Sequence, residues 1–208
     1  FADQTKVQLN AGSSIRFPEH FKKDKREVHL NGEAYFQVAE NAKRPFVIHT
    51  GALDIRVCGT AFNVKSYSDE NVVETTLEEG KLKVSEKQSD GKTPRACLLE
   101  KGQHLSYDLS TTEFQLKTGI DTELYTSWTK GHYKFHGIQL SRLARSFERL
   151  YDVRIKFEHE DLKTLTYTGS FYRDEAVINV LERVEMSSPI VKIKQLSNKQ
   201  FVLTHKNQ

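Results

Sequence analysis

The feature that most constrains this chain is a change in the spacing of its apolar residues near Gly119. Before it they recur at every second position, the period of a strand with one buried face; after it they recur at three-and-four spacing, the period of an amphipathic helix. One layer of structure cannot satisfy both. A length of 208 residues is compatible with one domain or two, and the period change predicts two: an all-β domain over 1–119 and an α+β module over 120–208.

In the first part, Val28 and Leu30 run into Asn31-Gly32, after which Ala34, Phe36 and Val38 share one face while Tyr35 and Gln37 take the other. Asn-Gly between alternating segments predicts a hairpin, because both residues tolerate positive φ. Phe46 to His49, Leu53 to Val57, Phe62 and Val64, Val72 to Leu77, Leu82 and Val84, Cys97 to Leu99, Leu105 to Leu109, and Phe114 and Leu116 continue the alternation. Turn signals such as Glu79-Gly80, Ser89-Asp90-Gly91 and Lys101-Gly102 separate them. About ten short strands and no helix are expected there.

In the second part, Ile138, Leu140, Leu143, Ala144, Phe147, Leu150 and Tyr151 line one helical face, opened by Ser141 or Gly137. Val177, Val180, Leu181 and Val184 line a second helix, capped by Asp174 and stopped by Pro189. With strands at Tyr133–Phe135, Val153–Phe157, Tyr167–Phe171, Ile190–Ile193 and Phe201–Leu203, the order is β-α-β-β-α-β-β, read as two helices on one face of a sheet.

Chemistry is sparse. The net charge of +3 is spread over interleaved signs, as in Lys22, Lys23, Asp24, Lys25, Arg26 and Glu27, without the clustered cations that nucleic acid requires. Apolar runs reach only a few residues, against the ~20 of a membrane helix. The eight histidines are scattered, and His132 and His136 fall on a strand between Gly131 and Gly137, so no metal site or cofactor is expected. Glu78 and Glu79 are adjacent and face opposite sides of a strand, unlike a glycosidase pair. Ser141 and Ser146 lack a nucleophile elbow. Cys58 and Cys97 are either joined by a bridge, if the compartment is oxidising, or ordinary thiols. No catalytic constellation emerges, and the chain reads as a non-enzyme. Tyr35, Tyr67 and Tyr107 are too dispersed to form the aromatic row of a carbohydrate-binding β-domain, which is the rival reading.

Specific strings go further than periodicity. Leu30-Asn31-Gly32-Glu33-Ala34-Tyr35-Phe36-Gln37-Val38-Ala39, then Arg44-Pro45-Phe46-Val47-Ile48, then Val57-Cys58-Gly59-Thr60-Ala61-Phe62-Asn63-Val64, resemble the ordered motifs of FecR-family anti-sigma regulators. Thr76 to Val84, Leu99 to Gln103, Trp128, Gly131, Phe135, Phe147 to Val153 and Thr168-Gly169 extend the resemblance through the Bacteroidetes-type C-terminal domain. Cys58 stands where Leu is usual, which favours a buried thiol, and Leu150 replaces a common Trp.

The resemblance implies the periplasmic region of a single-pass inner-membrane regulator. In that reading an absent cytoplasmic segment holds a sigma factor, an absent anchor helix crosses the membrane, and the periplasmic part senses the N-terminal signalling domain of a TonB-dependent outer-membrane transporter. The second domain is then similar to the short domain of secretins and of such transporters. The start at Phe1 and a single methionine, Met186, fit an excised fragment. A partner strand added at a sheet edge is the expected docking mode, with Phe201, Val202 and Leu203 as the candidate edge. Trp128, Tyr133 and Phe135 are expected to pack the two halves together.

Overall fold

The structure, a computed structural model, describes residues 1–87 and 93–206; the Ser89-Asp90-Gly91 turn signal lies outside the described residues. The chain divides into two compact units, Phe1–Thr129 and Lys130–Gln208.

The first unit is built from β1 (Lys6–Leu9), β2 (Ser14–Arg16), β3 (Arg26–Val38), β4 (Phe46–His49), β5 (Leu53–Val57), β6 (Thr60–Ser66), β7 (Val72–Glu79), β8 (Lys81–Glu86), β9 (Ala96–Glu100), β10 (Gln103–Asp108) and β11 (Phe114–Lys117). They hydrogen-bond in the order β11-β10-β7-β6-β3-β4-β5-β8-β9, with β1 and β2 also paired to β3. The first half of β3 pairs with β4 in parallel and the second half with β6 antiparallel, so one long strand feeds two sheets around a single core. Val28, Leu30, Ala34, Phe36 and Val38 all point into that core, where Phe36 stacks on Phe62 at 5.2 Å. Each such ring removed from water contributes about 2–3 kcal/mol.

Asn31-Gly32 is therefore not a hairpin turn; it lies inside β3. Gly32 has φ +113°, and β1 and β2 follow one another antiparallel along β3 with residues 10–13 set against Gly32 and Glu33. That bulge brings Ser13 onto Gly32, where a Cβ would sit 2.6 Å from the Ser13 Cα. The Asn-Gly pair answers a close approach and a positive φ, which a local turn signal cannot distinguish from a hairpin. A short helix, α1 (Glu123–Thr126), and a 3-10 turn, Ser127–Lys130, follow β11 where no helix was expected.

The second unit contains β12 (His132–Gln139), α2 (Leu140–Tyr151), β13 (Arg154–Phe157), β14 (Thr166–Tyr172), α3 (Val177–Met186), β15 (Val191–Ser197) and β16 (Gln200–His205). It has two sheets instead of one, β12-β14 and β13-β16-β15. The buried face of α2, Leu140, Leu143, Ala144 and Phe147, packs against β12 and β14 as well as β13. Phe147, Tyr167, Phe171, Val180, Leu181, Val191, Phe201 and Leu203 share the resulting core.

Neither Ser141 nor Gly137 opens α2. Ile138 pairs with Tyr167 in β12, and the Leu140 N–H donates to the Leu165 carbonyl at 2.7 Å, fixing the start from outside the helix. Asp174 does not cap α3, which begins after Ala176; the neighbouring Glu175 accepts the Tyr172 N–H at 2.7 Å. α3 ends at Met186, before Pro189.

Candidate interaction surface

Phe201, Val202 and Leu203 do not form an edge. β16 is the central strand, parallel to β13 on one side and antiparallel to β15 on the other. Phe201 and Leu203 are buried in the core, and only Val202 reaches the opposite face, half-buried. The last strand of the chain is not an outer one, because a parallel crossover inserts it between its neighbours.

The outer strands are guarded. On β13 the Ile155 N–H donates to Glu148 Oε1 of α2 at 2.9 Å, and on β15 the Ile193 N–H donates to Glu185 Oε2 of α3 at 2.7 Å. Each helix thus supplies a carboxylate to an N–H that an incoming strand would need. The open face of this sheet is basic. Lys156 lies opposite Val202, and Val202 opposite Lys194; Arg154 lies opposite Gln200 and Lys192 opposite Thr204. All four cations are exposed, as is Leu196. Lys192 pairs with Glu185 at 2.7 Å. The one acid in the row, Glu158, is held below its usual range by the Thr204 hydroxyl, with Lys194 near it.

In the first unit, the segment carrying α1 covers the polar outer side of the sheet. Asn63 donates to Glu33 Oε1 at 2.8 Å and accepts from Trp128 Nε1 at 3.2 Å. Glu33 also accepts from Asn10 at 2.8 Å, and burial pushes its carboxyl up against the opposing pull of Lys65, Asn63 and Asn10. Glu78 accepts from the Tyr35 hydroxyl and from Thr126 Oγ1, the latter at 2.8 Å; burial together with Glu78 raises the Tyr35 pKa. Tyr125 stacks on His104 at 4.1 Å between ring centroids. This clamp joins residues far apart in sequence, and of its α1-side members only Trp128 has a signature in the sequence. Trp128 belongs to this network, whereas Tyr133 and Phe135 stack on Phe171 inside the second unit.

Cys58 is exposed and Cys97 half-buried, and both are free, which corrects the buried-thiol expectation for Cys58. His49 sits between Asp54 at 2.8 Å and Glu27 at 3.3 Å. A cleft of about 1020 Å³ opens beside Val7, Leu9, Ile15, Phe17 and Phe21. Among the described residues no helix is long and apolar enough to cross a membrane.

Two family models match the chain, "FecR protein" over residues 1–83 and "FecR, C-terminal" over residues 132–203. Nothing among curated protein sequences matches it. Two crystal structures of a candidate anti-sigma factor from Parabacteroides distasonis, at 1.65 and 2.50 Å resolution, are similar over 99% of this chain and 92% of theirs. Each has a TM-score of 0.87 and 25% identity. The two models fall in order on the two compact units, and the chain belongs to the FecR family of regulatory, non-enzymatic anti-sigma factors.

Proposed function

We propose that this chain is the periplasmic, signal-receiving region of a membrane-anchored anti-sigma factor, and that it relays ligand occupancy of a TonB-dependent outer-membrane transporter to an extracytoplasmic-function sigma factor. The observation that carries this reading is the match of the C-terminal family model to a separate unit with its own core, Lys130–Gln208. A receiver must fold and present a surface independently of what it controls. The second unit also has the β-α-β-β-α-β-β order expected of the short domain shared by secretins and transporter N-termini. The sigma factor engages a cytoplasmic segment outside these 208 residues, joined through an anchor helix.

The test is capture of the 208-residue chain by the N-terminal signalling domain of a cognate TonB-dependent transporter. A complex at micromolar concentration supports the reading. No complex at high micromolar concentration, with binding to a glycan instead, overturns it.

A further inference from the structure

We infer that the open face of the β13-β16-β15 sheet is the docking surface, and that it takes an acidic polypeptide surface. This rests on the reading of the second unit as the receiver, and adds where and by what chemistry the partner binds.

The first step is exclusion of the edges. The inward faces of β13, β16 and β15 are filled by Ile155, Phe157, Phe201, Leu203, Val191 and Ile193, which pack in the core with the helices. Outer N–H groups on both flanking strands are taken by Glu148 and Glu185, so adding a strand at Ile155 or Ile193 requires displacing a carboxylate. The face opposite the helices needs no such displacement.

The second step is charge. The residues from Lys130 onward carry 14 basic and 9 acidic side chains, a surplus that the near-balanced whole chain conceals. On the open face the surplus is local. Lys156 and Lys194 flank Val202 and Arg154 lies beside Gln200, while Lys192, beside Thr204, is paired with Glu185; Glu158 is the single acid in these rows. Lys156 and Lys194 stand on either side of Val202 across three adjacent strands, about 10 Å apart at the strand spacing of a sheet. This is an apolar spot between two cations, bordered by the exposed Leu196. A partner presenting carboxylates on either side of an apolar side chain complements it, and charge complementarity of that kind sets the encounter rate and orientation.

The experiment uses the 208-residue chain and three probes: the signalling domain, a peptide alternating Glu and Val with its Lys-Val counterpart as control, and vesicles containing anionic phospholipid. Amide chemical shifts locate binding, and Lys156→Glu with Lys194→Glu reverses the central charges at exposed positions. The unchanged thermal transition of that variant shows that it folds. The proposal expects signalling-domain affinity to fall steeply between about 50 and 300 mM salt. It expects the double reversal to weaken binding at least tenfold at low salt, and Lys101→Glu in the first unit to leave it unchanged. Equal binding by the reversed variant overturns the docking surface while leaving the receiver reading intact. If the signalling domain does not bind at all, the receiver reading fails, and the peptide arm decides the face. Shifts at Arg154, Lys156, Val202 and Lys194 with Glu-Val but not Lys-Val uphold an acidic polypeptide site. Vesicle binding without peptide binding overturns it in favour of a lipid surface.

Discussion

Replacing Gly32 by alanine tests the reading of β3 most directly. At φ +113° an L-residue is strained by about 1–3 kcal/mol. The new Cβ would lie 2.4 Å from Ser13 Oγ and 2.6 Å from Ser13 Cα, and since the second is backbone, the bulge at residues 10–13 must move. That movement breaks the hydrogen bond from the Glu33 N–H to Ser13 Oγ, 2.8 Å long, at a further cost of about 1 kcal/mol. The expected loss is about 3 kcal/mol. Gly102→Ala is the control: φ is +78°, nothing lies within 4 Å of the added Cβ, and strain of about 1–2 kcal/mol acts alone. Both substitutions restrict the unfolded chain equally, so that effect cancels in the difference. Trp128, the single tryptophan, is hydrogen-bonded within the first unit and reports its unfolding in urea. At about 1–3 kcal/mol per molar, Gly32→Ala should lower the midpoint by about 1 M or more, and Gly102→Ala by clearly less. Equal losses in the two variants would refute the claim that Ser13 packs against a position reserved for glycine.

The remaining predictions probe the clamp, a buried charge and the thiols. Asn63→Leu removes the donor to Glu33 and the acceptor of Trp128 together, and should cost about 2–4 kcal/mol and change the indole emission; a loss below about 1 kcal/mol would mean that water already serves these groups. Glu33 has a folded-state pKa raised mainly by burial, so the folded state holds its proton more tightly and stability falls as pH rises from the ordinary glutamate value through the raised one. Glu33→Gln cannot titrate, so its stability relative to the parent chain should improve as pH rises above the ordinary glutamate value in urea titrations, and a constant difference would contradict the buried carboxylate. Cys58 should react with a thiol reagent at once and Cys97 slowly, because burial both shields Cys97 and raises its pKa; loss of both thiols on oxidative purification without intermolecular adducts would show that they can pair.

Alternation was enough to read β4 to β11 almost strand by strand, because apolar side chains at every second position supply the core face of most of them. Asn31-Gly32 defeated it. The turn signal is local, whereas the cause of that glycine is Ser13, nineteen residues earlier and brought there by strand pairing. The start of α2 was missed for a related reason: Ile138 fits both the helical face and the alternation of β12, and the carbonyl of Leu165 decides between them. The α1 clamp had almost no signature. It is a single turn, too short for a period, and its contacts pair Thr126 with Glu78 and Trp128 with Asn63 across 48 and 65 residues. Cys58 was placed inside by its position in a motif usually occupied by Leu, but its side chain is exposed.

The edge assignment failed most instructively. Phe201, Val202 and Leu203 pair on both sides, and a position at the end of the chain says nothing about position in a sheet. Once β16 is central, the two helix-strand units around it, α2-β13 and α3-β15, show the same device. α2 sends Glu148 to the N–H of Ile155 seven residues on, and α3 sends Glu185 to the N–H of Ile193 eight residues on. Each carboxylate occupies a donor that would otherwise template another strand, and Lys192 and Lys194 add charge along β15. A sheet guarded in this way at Ile155 and Ile193 resists strand addition at those two positions. Recognition then falls to its side chains, and on this sheet Lys156 and Lys194, exposed on either side of Val202, are the cations presented to a partner.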